Sequence, residues 1–291
     1  MENTQSLPNL LIDQRMADAW ADLLNHPADA TVLHANAHRL AFADPEFLLR
    51  RDTRGIRIQL EMLKPDLDQA EQGIEHTVVV FGSARFSSPE KAQALLDEAL
   101  QSANPAAITE AKRHMRNAQH YDQARLFARL VAGYSAAQPA DKRLYICTGG
   151  GPGIMEAANR GAHDMGAPTV GLNIALPHEQ HANPYVTPSL SFKFHYFAMR
   201  KMHFMMRAKA LVAFPGGFGT LDELFEVITL VQTKKAQPVP IVLFGSDYWK
   251  RLLNVDVLLE EGVVSPDDLK LLNYVDEPQA AWDAIQRFYS L

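Results

Sequence analysis

From His76 onward the apolar positions fall in short runs that end at glycine and give way to helical spacing, so the chain predicts a parallel sheet with helices between its strands. The runs that read as strands are 77–81, 144–147, 169–173, 190–194, 210–214 and 239–244. Val78-Val79-Val80-Phe81 and Ile241-Val242-Leu243-Phe244 are hydrophobic at every position, which suits strands covered on both faces. The expected fold is therefore α/β and Rossmann-like: a doubly wound, mostly parallel sheet with helices on both faces. No internal repeat is visible.

Upstream, apolar residues at helical spacing predict a helix over 9–26, ending before Pro27, and a second over 44–63. Arg50, Arg54 and Arg57 would share a face of the second, read first as a solvated face and second as an effector or assembly surface. Residues 1–70 are accordingly expected to be an N-terminal helical extension, and 71–291 the Rossmann-like domain. Residues 101–120 are polar and alanine-rich and read as an insertion before a helix over 121–135; another helix closes the chain over 275–290.

Composition narrows the function. With 291 residues, 47% of them hydrophobic, the chain has material for a sizeable core, and 34 acidic against 28 basic residues, a net charge of −6, give no general attraction to nucleic acid or anionic membrane. Any phosphate site must be local. The single cysteine, Cys147, excludes an intrachain disulfide and fits a reducing compartment, and no leader pattern or membrane-length apolar run is present; a cytoplasmic protein is expected.

Three of the strand ends carry glycine turns: Gly82-Ser83, Gly149-Gly150-Gly151-Pro152-Gly153 and Gly216-Gly217-Phe218-Gly219. Ligands of open α/β sheets bind at that edge, where glycine admits close backbone approach and helix N-termini offer unpaired N–H groups to an anion. More specific motifs fail. Gly149-x-Gly151 is followed by Ile154, and Gly217-x-Gly219 by Asp222, where a dinucleotide fingerprint needs glycine. No P-loop occurs, and His178-Glu179-Gln180-His181 spaces its histidines wrongly for a helical zinc site and reads as a loop.

The most informative segment is Pro215-Gly216-Gly217-Phe218-Gly219-Thr220-Leu221-Asp222-Glu223, followed by an apolar helical stripe of Leu224, Phe225, Ile228 and Val231 that starts a helix near Thr220. Thr220-x-x-Glu223 also reads as a capping box, and spacing alone weighs that equally with a chemical role for Glu223. A phosphate beside Asp222 and Glu223 would need cations, for which Arg200 and Lys201 are the candidates; Arg200, His203 and Arg207 share a helical face. Met199, Met202 and Met206 read as core packing.

These residues together resemble the Lonely Guy family, cytokinin riboside 5′-monophosphate phosphoribohydrolases that are often described as lysine decarboxylases. The likeness lies in P-G-G-x-G-T-x-x-E at 215–223, Arg200-Lys201 and the glycine turn at 149–153, spans about 76–245, and, with the N-terminal helices, is to the longer form. It implies hydrolysis of the N-glycosidic bond of AMP or an N6-modified AMP to free base and ribose 5-phosphate, without metal or organic cofactor, by a homodimer or larger homo-oligomer. It also implies Arg200 and Glu223 as the catalytic pair; Gly216, Gly217, Gly219 and Thr220 on the phosphate; and Gly82, Ser83, Gly149, Gly150, Gly151, Gly153 and Lys201 around the nucleotide. The alternative on the same fold is a non-catalytic nucleotide-binding or carrier module. Decarboxylation is disfavoured, since nothing around Lys193, Lys201 or Lys209 marks a pyridoxal site.

Overall fold

A computed structural model describes residues 39–176 and 181–291; the helix expected over 9–26 and the stretch from Pro177 to Gln180 lie outside the described residues. Two compact units divide the chain, Met1–Gln59 and Leu60–Leu291. In the first, the helix expected over 44–63 is interrupted. Asp44 caps a single turn, Pro45–Leu48, accepting from the N–H groups of Glu46 and Phe47 at 3.0 and 3.2 Å. Thr53 then donates its hydroxyl to the carbonyls that turn leaves open, before helix α1 (Arg54–Glu71) begins. Arg50 lies ahead of α1, and Arg57 Nη1 donates to Leu48 O, Arg50 O and Thr53 Oγ1, so the three arginines do not form one solvated stripe.

The larger unit is built on seven strands, all parallel: β1 (His76–Phe81), β2 (Leu144–Thr148), β3 (Thr169–Ile174), β4 (Ser191–Phe194), β5 (Ala208–Ala213), β6 (Ile241–Phe244) and β7 (Leu272–Val275). Their order is β4-β3-β2-β1-β5-β6-β7. The chain winds outward from β1 to one edge, then returns to the other side of β1, so the topological switch lies between β1 and β5. Period-two alternation sends Val78, Val80, Ile146 and Val212 to one face, under α3 (Pro105–Ala136), α4 (Ile154–Asp164) and α8 (Pro278–Tyr289). Val79, Phe81, Cys147 and Leu211 go to the other, under α5 (Phe197–Met206), α6 (Phe218–Gln232) and α7 (Ser246–Leu252). The doubly wound sheet expected from the hydrophobic runs is the observed one.

Two expectations change. Residues 101–120 are no insertion: after α2 (Pro89–Ser102), Asn104 caps a continuous 32-residue α3 whose first half is held by small buried side chains, Ala111 and Ala118. Gly161 of α4 lets α3 approach so closely that a Cβ there would fall 2.1 Å from Arg125 O. The unexpected strand is β7, whose four residues are all only half-buried. No described helix is long and apolar enough to cross a membrane.

Candidate active site

The two loops that leave β1 and β5 are tied at the switch point, Phe214 N–H donating to Phe81 O at 2.8 Å and Ser83 N–H to Pro215 O at 3.0 Å. Between them and α3 opens a cavity of about 750 Å³, a volume suited to a small organic ligand. Gly82, Ser83, Arg200, Gly216, Gly217, Gly219, Thr220 and Glu223 all line it.

Helix α6 starts at Phe218, with Gly217 as its N-cap and no side-chain cap bond. Thr220 and Glu223 therefore stand within the helix, and the capping-box reading is wrong: Gly217, which caps with backbone alone, takes the cap position three residues before Thr220. Thr220 and Leu221 donate their N–H groups to Gly217 O at 3.0 and 3.1 Å, which leaves those of Phe218 and Gly219 without a helical acceptor. At Gly217 and Gly219 an added Cβ would meet nothing within 4 Å, whereas at Gly216 it would fall 2.1 Å from Thr220 Oγ1. Gly216 is thus needed for internal packing, while Gly217 and Gly219 keep the cavity wall bare. Tyr248 Oη donates to Gly216 O at 2.5 Å and fixes the turn from α7.

One turn into α6, Glu223 faces the cavity yet is only 6% exposed. Burial raises its pKa to about 7, against the opposing pull of Arg200 and Lys201, and neighbouring Glu226 and Asp222 add to the rise. Its carboxyl group makes no hydrogen bond or ion pair among the described residues. Arg200 is anchored differently. Its Nε donates to Leu172 O at 2.7 Å and its guanidinium lies 5.1 Å from the centre of the Phe204 ring, leaving the outer nitrogens for the cavity. Burial holds its pKa below the ordinary arginine value, against the opposing pull of Glu223. Helix α5, which carries it, is itself fixed at its start by Glu61, which accepts from the N–H groups of His195 and Tyr196 at 2.8 and 3.0 Å. His203 and Arg207 hold the same helix by bonding to Glu61 O and to Asp66 and Ile74 O.

Lys201 points elsewhere: its ammonium pairs with Asp222 and Glu226, each at 2.9 Å, on the outer side of α6, and it does not line the main cavity. It removes part of the acidic charge that a phosphate at the start of α6 would otherwise meet. Of the methionines on α5, Met199 packs inward, but Met202 and Met206 are 46% and 42% exposed, contrary to the expected core role.

None of Gly149, Gly150, Gly151 and Gly153 lines the cavity; their turn packs closely against its neighbours. A Cβ on Gly149 would fall 2.5 Å from Arg200 Nη2, one on Gly150 2.4 Å from Asn173 Nδ2, and one on Gly153 2.3 Å from Ser83 O, with Gly150 and Gly153 also at positive φ. Gly151 O accepts from Asn183 Nδ2 at 3.0 Å, and Asn183 belongs to a buried network with Asn159, Thr148 and Thr169 that sequence reading missed. Among the cavity residues it also missed are Arg85 and Phe86 after β1, Asn117 and His120 on α3, and Tyr248 on α7, which no local motif joins. Among the described residues no His, Cys, Asp and Glu cluster could hold a metal ion.

The fold and site define an open, doubly wound α/β protein whose cavity lies at the switch point, with a buried carboxyl group and a half-buried guanidinium in its wall. Residues 155–285 match the family model described as "Possible lysine decarboxylase". A probable cytokinin riboside 5′-monophosphate phosphoribohydrolase of Oryza sativa subsp. japonica is 32% identical over 127 residues, 43% of this chain and 50% of that protein. A cytokinin riboside 5′-monophosphate phosphoribohydrolase of Arabidopsis thaliana is 33% identical over 122 residues, 40% of this chain and 55% of that protein. Residues 155–285 are thus similar to that family, and the chain spans about half the length of these curated relatives. Among solved structures, the molybdenum cofactor binding protein of Rippkaea orientalis superposes with a TM-score of 0.44 at 15% identity, covering 73% of this chain and 95% of that one.

Proposed function

We propose that this protein hydrolyses the N-glycosidic bond of a purine nucleoside 5′-monophosphate, AMP or an N6-modified AMP, to the free base and ribose 5-phosphate. The observation that carries the reading is Glu223: a buried carboxyl group that makes no hydrogen bond or ion pair, facing the cavity one turn behind the open N–H groups of α6. The 5′-phosphate would lie against the N–H groups of Phe218 and Gly219, where bare glycine backbone permits close approach and the helix dipole favours an anion. The ribose would then lie over Glu223. As the bond from C1′ to the base nitrogen breaks, its electron pair leaves with the base and positive charge grows on the sugar, where an ionised Glu223 stabilises it. Water supplies hydroxide to C1′ and a proton to the base. Arg200, held at Leu172 O, would place its outer nitrogens on the phosphate or ribose oxygens.

The likeness to the named phosphoribohydrolases supports the same reaction. Schiff-base chemistry finds no support, because no lysine lines the main cavity and Lys201 is engaged by two carboxylates. If the phosphate is the handle that seats the sugar over Glu223, AMP should be cleaved at least about 100-fold more efficiently than adenosine in kcat/KM, since remote binding energy is then spent on orientation. Equal handling of the two would remove the assignment of α6 to the phosphate.

A further inference from the structure

The wall of the cavity opposite α6 is unassigned by the reading above. Asn117 and His120 lie one helical turn apart on α3, both line the cavity, and the His120 ring stacks on Phe86 with centroids 5.8 Å apart and planes 20° from parallel. The orientation of the imidazole is set from behind. His120 Nδ1 is buried without a hydrogen-bond partner, and so is Gln123 Oε1 one turn further along α3, with which the imidazole interacts. Gln123 donates its amide nitrogen to Asp276 O at 3.3 Å, so its oxygen is the atom left to accept. Gln123 Oε1 calls for the ring proton on Nδ1, the tautomer in which Nε2 carries the lone pair.

We infer that Asn117 and His120 are the residues that read the nucleobase, with Phe86 as its stacking surface, and that His120 Nε2 selects a base presenting an N–H donor, such as a 6-amino or singly substituted 6-amino purine, over a 6-oxo purine. This rests on the nucleotide reading of the site but not on turnover. Burial holds the imidazole below its ordinary pKa, so near neutral pH the ring accepts rather than donates, and a 6-oxo group would set one acceptor against another. Asn117, with a carboxamide that offers both a donor and an acceptor, can meet a second edge atom of the base.

The test is calorimetric titration of AMP, IMP and ribose 5-phosphate in a Glu223→Gln background, which keeps bound nucleotide intact, with His120→Phe and Asn117→Leu added separately. His120→Phe retains a ring to stack on Phe86 and removes only the nitrogens. The expected result is a preference for AMP over IMP of about tenfold or more, reduced to less than about threefold by His120→Phe, with ribose 5-phosphate binding unchanged in either variant. A preference that survives both substitutions, or ribose 5-phosphate affinity that falls in step with AMP, overturns the inference. If AMP is bound with this preference but the parent protein never cleaves it, the hydrolase reading fails and the base-reading wall stands; if neither the parent nor the Glu223→Gln background binds a monophosphate, both fall.

Discussion

Glu223→Gln is expected to fold, to resist urea better than the parent protein at pH 8, and to lose turnover by about 100- to 10,000-fold. Both effects come from one fact, that the carboxyl group is buried without a hydrogen bond or ion pair. Its pKa is raised from 4.5 to about 7, mainly by burial. In the unfolded chain it ionises near 4.5, so its contribution to stability is fully present below that pH and is lost as pH rises through about 7. The difference is worth about 3 kcal/mol, which a neutral glutamine does not forfeit. The same ionised state that costs stability is the one able to face a developing ribosyl cation. The parent protein's kcat/KM should therefore rise with pH through about 7, whether Glu223 acts electrostatically or as a nucleophile. Urea unfolding at pH 5 and pH 8, beside base release, checks the set. Near-parental turnover in the glutamine variant would leave Glu223 outside the chemistry.

Gly149→Ala should give a folded but largely inactive protein, with turnover down about 10- to 100-fold and a small change in stability. Gly149 does not have positive φ, so alanine is tolerated by the backbone; its Cβ would instead fall 2.5 Å from Arg200 Nη2 and 2.9 Å from Met155 Sδ. Because Arg200 Nε is held at Leu172 O, the guanidinium can yield only by swinging its outer nitrogens away from their place in the cavity wall. Arg200→Lys should lose as much or more, as an ammonium cannot bond Leu172 O and the ligand in the same fork. Thermal melting and steady-state rates separate this from simple unfolding. A Gly149→Ala protein as active as the parent would mean that Arg200 does not need its present position.

The sheet was legible where burial on both faces left uniform apolar runs, as in Val78–Phe81 and β6, and illegible at β7, where Leu272-Asn273-Tyr274-Val275 is short, mixed and half-exposed. The first half of α3 escaped notice because alanines, not large side chains, face its neighbours. At α6 the pattern Thr220-x-x-Glu223 imitates a cap, and only the backbone at Gly217 reveals that the helix has already begun. Gly216, Gly217, Gly219, Arg200 and Glu223 were legible because they sit in contiguous motifs at strand ends. Asn117, His120, Phe86 and Tyr248 were not, because α3 contributes two of them and the β1 loop and α7 one each, and only the fold brings them together. Lys201 shows the converse: adjacent to Arg200 in sequence, it projects from the other side of α5 to Asp222 and Glu226.

Hydrolysis at C1′ is tested by incubating the purified protein with AMP in ¹⁸O-labelled water. The expected products are adenine and ribose 5-phosphate in equal amounts, with the label in the sugar phosphate and none in the base. Intact AMP after prolonged incubation, with the same outcome across a panel of purine and pyrimidine monophosphates, would contradict it.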